Sequence, residues 1–329
     1  MSILVLSEAE LRQCVTMDAE AINAVAEAFS ALARGDAVMP PILRVDVHEY
    51  NGEVDVKSAY VKGFDAFAVK MSSGFFDNPT LGLSTSGGMM TLLDSKTGHV
   101  RAVLLDNGYL TEVRTAAAGA VAARHLARKD IETVGIIGAG EQARLQVAAL
   151  QEVRKFGRVV VWARDAAKAE EYAGAMTTRL GVPVELAESA KQAVEASELI
   201  VTATPAHGPL IQGDWLRPGQ HVTAMGSDAE EKNELHPSVL ARADLYVCDS
   251  RDQCLRLGEL HHAVAAGAVP EDMSVIELGE ITGGSKPGRA SDEQITVCDL
   301  TGTGVQDTAI ATVAYDKAKA KGMGTEVGG

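Results

Sequence analysis

Apolar and polar positions change rhythm about a third of the way along the chain. Before that point helical and strand spacings are mixed. Ser7 and Glu10 have the S-x-x-E spacing of a capping box and predict a helix start. Ile22, Val25, Ala26 and Phe29 then fall on one face of a longer helix that ends near Gly35. Strand-like runs follow at 42–47, 54–61, 66–72 and 88–93, and the turn 94–98 leads into another at 100–105. Strands linked by hairpins in this way predict an antiparallel or mixed sheet. The alanine-rich stretch TEVRTAAAGAVAARHL at 111–126 predicts a connecting helix with Thr111 as its N-cap.

Beyond that helix the pattern becomes strand, turn, helix, repeated. TVGII, VVVW, VPVEL, ELIVTA, HVTAM and DLYV are its apolar runs, and their alternation with helical segments predicts a parallel, doubly wound sheet. A last helical stretch, about 307–321, follows the strand-like run 295–298 and can fold back on the first unit; 322–329 reads as a frayed tail. The expected fold class is α/β: a Rossmann doubly wound parallel sheet over 116–306, plus an α+β domain built from 1–115 with 307–329.

Composition narrows the function. The 329 residues carry 30 Lys and Arg against 45 Asp and Glu, a formal charge of -15, which argues against nucleic acid or an anionic membrane surface as partner. With 46% hydrophobic but only 4% aromatic residues, the core is expected to be aliphatic and packed on alanine. The start MSILVLSEAE has no basic segment, and no run of about 18 apolar residues occurs, so neither a signal peptide nor a membrane span is expected. Four cysteines without a CxxC pair fit free thiols in a reducing, cytoplasmic compartment.

The most specific motif is Gly138-Ala-Gly140-Glu141-Gln142-Ala143, a G-x-G-x-x-A turn set between an apolar strand and a predicted helix. The first glycine permits the tight turn and the second lets backbone approach a pyrophosphate. A small third residue lets helix and strand pack closely, and the helix N-terminus supplies free N–H groups. The residue that selects the cofactor is expected about 20 positions on, where Arg164 and Asp165 give opposed signals. Arg164 could hold the 2′-phosphate of NADP; Asp165 could accept from the free 2′-hydroxyl of NAD.

Three cations stand alone among apolar or small neighbours: Arg44, Lys70 and Arg114, the last in the first turn of its predicted helix. Ion pairs with Asp46 or Glu112 would explain them structurally, whereas together they would make an anion site. Asp228 lies just past a predicted parallel strand, at the sheet edge where ligands of open α/β folds bind, and could instead cap a helix. His261 and His262 with Cys248 and Cys254 lack metal-ligand spacing, and no metal is expected.

VKMSSGFFDNPTLGL, LLDNGYLTEVRTAAAGAVAARHLA, VGIIGAGEQA, IVTATPA, the GSD around Asp228 and LTGTGVQDTAIA together resemble the ornithine cyclodeaminase/mu-crystallin family over nearly the whole chain. The resemblance implies a substrate-binding and dimerisation domain joined to a dinucleotide-binding one, usually as a homodimer. It implies that Arg44, Lys70 and Arg114 hold the substrate carboxylate, that Lys70 also polarises the reacting centre, and that Asp228 exchanges a proton. Thr115, Gly140, Glu141, Gln142, Arg164, Thr204, Met225 and Gly226 would line NAD, with Arg114 beside them and Thr85 and Thr303 approaching it. DVKSAYVKG, GFFDNP and MGSDAEEKNEL look like the ectoine-utilisation and iminosuccinate reductase branches, the latter implying reduction of iminosuccinate by NADH to L-aspartate. A cyclodeaminase with recycled NAD, an ectoine-degradation enzyme and a non-catalytic binding protein of mu-crystallin type are the other activities that the family implies.

Overall fold

The computed structural model describes residues 2–328. It opens with β1 (Ile3–Ser7) and α1 (Glu8–Cys14), and the helix start is the Ser7–Glu10 capping box, in which Glu10 Oε2 accepts from the Ser7 N–H at 2.9 Å. Asp18 caps α2 (Ala19–Ala33), which buries Ile22, Val25 and Phe29. Six strands follow: β2 (Ala37–Val38), β3 (Leu43–Val47), β4 (Gly52–Val61), β5 (Ala66–Phe75), β6 (Ser86–Asp94) and β7 (Val100–Leu105).

The connecting helix α3 (Tyr109–Leu126) begins two residues before Thr111, so Thr111 is not its cap. Asn107 and Gly108, both at positive φ, turn the chain sharply after β7, and the Asp106 carboxylate accepts the Leu110 N–H at 2.9 Å. That carboxylate takes the role expected of Thr111, and Arg114 consequently stands in the second turn rather than the first.

Next come β8 (Thr133–Ile137), α4 (Glu141–Gln151), β9 (Arg158–Trp162), α5 (Ala166–Leu180), β10 (Val184–Leu186), α6 (Ala190–Ala196) and β11 (Leu199–Thr202). The chain continues through β12 (His207–Ile211), β13 (His221–Ala224), β14 (Asn233–Leu235), α7 (Pro237–Arg242), β15 (Leu245–Cys248), α8 (Arg251–Cys254) and α9 (Glu259–Ala265). Then β16 (Ile276–Glu277), α10 (Leu278–Thr282), β17 (Thr296–Asp299), α11 (Gly304–Lys321) and β18 (Thr325–Val327) complete it.

Two compact units result. One comprises the chain through Arg114 and again from Thr303; the other spans Thr115–Gly302. From sequence these divisions are expected at 115/116 and 306/307. α11 starts earlier because Gln306 Oε1 accepts the Thr303 N–H at 2.7 Å, which makes Thr303 its N-cap.

The first unit holds a mixed sheet in the order β18-β1-β7-β6-β5-β4-β2, with β3 also on β4; β1 pairs β7 in parallel, and its other ladders are antiparallel. α11 packs on one face. Its Ile310, Ala311 and Ala314 join Ala66, Ala68, Met90 and Leu104, while Val305 and Ala309 meet Ala59 and Val61. Alanine lets helix and sheet approach closely, and a Cβ on Gly304 would lie 2.4 Å from the Ser58 carbonyl oxygen.

In the second unit the strands run β10-β9-β8-β11-β13-β17-β15-β16, all ladders parallel, and β12 and β14 form a separate parallel pair. Chain order reverses between β8 and β11, and in an open α/β sheet that reversal marks the crevice where ligands bind. Among the described residues the four cysteines are free and buried, no helix is long and apolar enough to cross a membrane, and no group of side chains could hold a metal ion.

Candidate active site

Strand alternation decides what the inner face of the first unit carries. Along β4 the inward residues are Asp55, Lys57, Ala59 and Val61; along β5 they are Ala66, Ala68 and Lys70. Lys57 stands directly across from Lys70 in the ladder, so an apolar floor ends in a charged rung. Asp307 reaches this rung from α11. Its Oδ2 lies 3.2 Å from Lys70 Nζ and its Oδ1 lies 3.0 Å from Arg114 Nε.

All three groups are withdrawn from water: Lys70 is 1% exposed, Arg114 5% and Asp307 0%. Two cations against one carboxylate leave the trio net positive, an expensive arrangement in a dry interior unless an anion completes it. Neither Asp307 oxygen nor Arg114 Nε is aligned for a hydrogen bond. Burial pushes Lys70 down to about 7, with Arg114 and Lys57 adding to the fall and Asp307 opposing it.

An unfolded chain keeps the lysine proton to about its ordinary 10.5, whereas the folded chain gives it up near 7. Between those values the unfolded state binds more protons, so this group makes stability rise with pH across that window. Anion binding needs the charged form, so it should weaken over the same range. We expect kcat/KM for an anionic substrate to fall about tenfold per pH unit above pH 7. A profile flat from pH 6 to 9 would remove Lys70 from the anion site.

Arg44 lies elsewhere in the ion-pair pattern. On β3 its guanidinium meets Asp46 at 2.8 Å and Glu53 at 2.7 Å, the former being the structural pair that the sequence allows. The structure thus gathers Lys70 and Arg114 on Asp307 and engages Arg44 with two other carboxylates. Thr85 lies in the loop before β6, where its carbonyl accepts the Phe75 N–H. Thr303 is fully buried as the cap of α11.

In the second unit the glycine turn joins β8 to α4. Gly138 has φ +123, and a Cβ there would lie 2.6 Å from the Ala203 carbonyl oxygen, so only glycine fits. Gly140 is the N-cap of α4; nothing lies within 4 Å of its Cβ position, and no side chain caps the helix. Glu141 and Gln142 occupy the first turn, and Ala143 is buried. A helix N-terminus beside open space is what a pyrophosphate requires. At the end of β9, Asp165 caps α5 by accepting the Lys168 N–H at 3.2 Å, and Arg164 is exposed.

Asp228 lies in the loop after β13 and starts no helix, so the capping role does not apply. Lys232 Nζ donates to its Oδ1 at 2.8 Å. Thr204 and Gly226, which flank the β11 and β13 ends, are bridged by the buried carboxylate of Glu234. Thr115 passes its carbonyl to Gln146, which also donates to Gln142.

Asp307, Lys232, Glu234 and Glu259 were not singled out from sequence. A carboxylate inside the apolar stretch VQDTAIA was a usable signal for Asp307, whereas KNEL offers none for Glu234.

A model of the ornithine cyclodeaminase/mu-crystallin family matches residues 1–322. An uncharacterized cyclodeaminase of Sinorhizobium fredii is 53% identical over 322 residues, covering 98% of this chain and 97% of its own. Among solved structures, the Δ1-pyrroline-2-carboxylate reductase of Thermococcus litoralis, in complex with NADH and L-proline, superposes with a TM-score of 0.94 at 34% identity. That match covers 99% of this chain and 100% of the other. The iminosuccinate reductase of Paracoccus denitrificans, in complex with NAD+, gives 0.91 at 32% identity, with 100% of both chains covered. By the extent of the family match and by full-length similarity to these proteins, the chain belongs to the ornithine cyclodeaminase/mu-crystallin family.

Proposed function

We propose that the chain is an NAD-dependent imine reductase of the amino-acid dehydrogenase type, and that its reaction is iminosuccinate plus NADH and a proton giving L-aspartate and NAD+. The observation that carries this reading is the buried, net-positive trio of Lys70, Arg114 and Asp307. It suits the carboxylate that stands next to the imine carbon of an imino acid. Two structural neighbours bear names that describe reduction of an imine beside a carboxylate, one bound to NADH and the other to NAD+.

Within this reading the glycine turn and the uncapped start of α4 hold the pyrophosphate. Thr115, Thr204, Met225 and Gly226 line the dinucleotide, with Thr85 and Thr303 approaching it. When bound, NADH supplies the hydride to the imine carbon. Lys70 and Arg114 fix the substrate carboxylate, and Asp228 keeps the imine nitrogen protonated so that the carbon stays electrophilic. With Asp165 at the end of β9 and Arg164 turned to solvent, NAD is the preferred cofactor and NADP the second choice. The partner is a second copy of this chain, for which exposed Val38, Leu43, Val45, Leu81 and Leu83 of the first unit offer apolar surface. Four free cysteines support a cytoplasmic location as part of this reading.

The test follows NADH and NADPH oxidation with ammonia and oxaloacetate, pyruvate, glyoxylate or phenylpyruvate, and with iminosuccinate generated in situ. Fastest turnover with the dicarboxylate and NADH is expected. Response only to monocarboxylates would overturn the substrate and keep the reaction. The name of the Sinorhizobium relative favours a second reading, cyclodeamination. Ammonia and a cyclic amino acid formed from ornithine without added reductant would establish that one instead.

A further inference from the structure

Two buried carboxylates that the proposed chemistry leaves unused stand behind the segment carrying Asp228. Glu234, on β14, is fully buried, and both its oxygens are occupied by the chain leaving β11 and β13. Oε1 accepts the Thr204 N–H at 2.7 Å and the Thr204 hydroxyl at 2.8 Å; Oε2 accepts the Gly226 N–H at 2.7 Å and the Thr202 hydroxyl at 2.6 Å. Gly226 is required by this approach, because a Cβ there would lie 2.2 Å from the Thr204 carbonyl oxygen and 2.5 Å from Glu234 Cδ.

Glu259, on α9, secures the same region from behind. It accepts the N–H groups of Glu234 and Leu235 at 2.8 and 2.9 Å, Asn233 Nδ2 at 2.7 Å, and the Ser227 hydroxyl. Burial, with the Asp299 and Glu234 carboxylates nearby, pushes Glu259 up to about 8, against hydrogen bonds that favour its ionised form. Gly226, Ser227 and Asp228 are therefore held in succession by Glu234, Glu259 and Lys232. The Glu234 carboxylate thus ties the β11 and β13 ends to each other, and the Ala203 N–H, bonded to the Ile137 carbonyl, joins β11 to the strand that enters the glycine turn.

We propose that Glu234 is a positioning residue, which locks the β11 and β13 loops to each other and thereby fixes Asp228 relative to the glycine turn. The proposal rests on Asp228 being the proton-exchanging group. Glutamine is the informative replacement because its volume is nearly unchanged. Each carboxylate oxygen receives one backbone N–H, so whichever way the amide is turned its NH2 opposes either Thr204 or Gly226. One N–H that meets a buried carboxylate in the wild type must then lose its acceptor, and that loop moves.

Glu234→Gln is expected to lower kcat for imine reduction about 100-fold, the scale of an ångström's misplacement. Hydrogen exchange at Thr204 or Gly226 should accelerate about tenfold in the free enzyme while exchange in the other strands stays slow. A deuterium effect from [4-2H]NADH larger than in the wild type would place the loss in the hydride step, which a loss of folded protein alone would not change. Thr202→Val removes a hydroxyl but neither backbone bond, so it should lower kcat only several-fold. A folded Glu234→Gln variant with wild-type kcat and wild-type exchange overturns the proposal. If that variant does not fold, an unchanged kcat in Thr202→Val overturns it. If the wild type reduces no imino acid, the functional reading fails by itself, and amide exchange at Thr204 and Gly226 still decides whether Glu234 holds the loops.

Discussion

Replacing Lys70 with alanine should reduce kcat/KM for the imino acid by about 30- to 4,000-fold, the equivalent of about 2–5 kcal/mol for truncating one member of a buried charge contact. The site loses a cation that is 1% exposed and 3.2 Å from Asp307, and the trio becomes neutral. An incoming carboxylate then meets Arg114 alone, and Arg114 remains committed to Asp307 at 3.0 Å. NADH affinity should remain within about threefold, since every group assigned to the pyrophosphate belongs to the glycine turn and α4. Because Asp307 keeps Arg114, no unpaired buried carboxylate is created and the variant should fold. Steady-state kinetics with a fluorescence titration of NADH checks both halves. A variant with near-wild-type kcat/KM would leave Lys70 without a part in the reaction.

The second large effect is expected at Asp228. Asparagine keeps the shape of the side chain and removes its capacity to carry a proton, so kcat should fall about 10²- to 10⁴-fold. KM for the imino acid should change little, because the proposed contacts to its carboxylate come from Lys70 and Arg114. Lys232, 2.8 Å from Asp228 Oδ1, loses its charged partner but can still donate to the amide oxygen. Rapid-quench measurement of the first turnover distinguishes slow chemistry from slow release. An undiminished first turnover in Asp228→Asn would exclude that carboxylate from proton transfer.

Much of the architecture was legible because periodic patterns report directly on local structure. The inward alternation along β4 and β5, the Ser7 capping box and the glycine turn all lie within a few neighbouring residues. Illegible features depend on distant partners. Whether Thr111 or Asp106 starts α3 is settled by the left-handed pair Asn107 and Gly108, a backbone property that an alanine-rich helix does not announce. Arg44, Lys70 and Arg114 look alike in sequence, each a cation among small neighbours. They part company because Asp307, far along the chain on α11, reaches two of them and Asp46 and Glu53 take the third. β14 is three residues long and contains Asn233 and Glu234, so it carries no strand signal; Glu234 matters through bonds to residues about thirty positions upstream.

In the proposed reaction, hydride passes from the dinucleotide to the imine carbon of iminosuccinate. Incubating the protein with [4-2H]NADH and iminosuccinate generated from oxaloacetate and ammonia, then measuring the aspartate by mass spectrometry, tests it directly. One deuterium at the α-carbon of L-aspartate from one of the two C4-labelled NADH stereoisomers is the expected result. Unlabelled aspartate from both stereoisomers, or no aspartate at all, would contradict it.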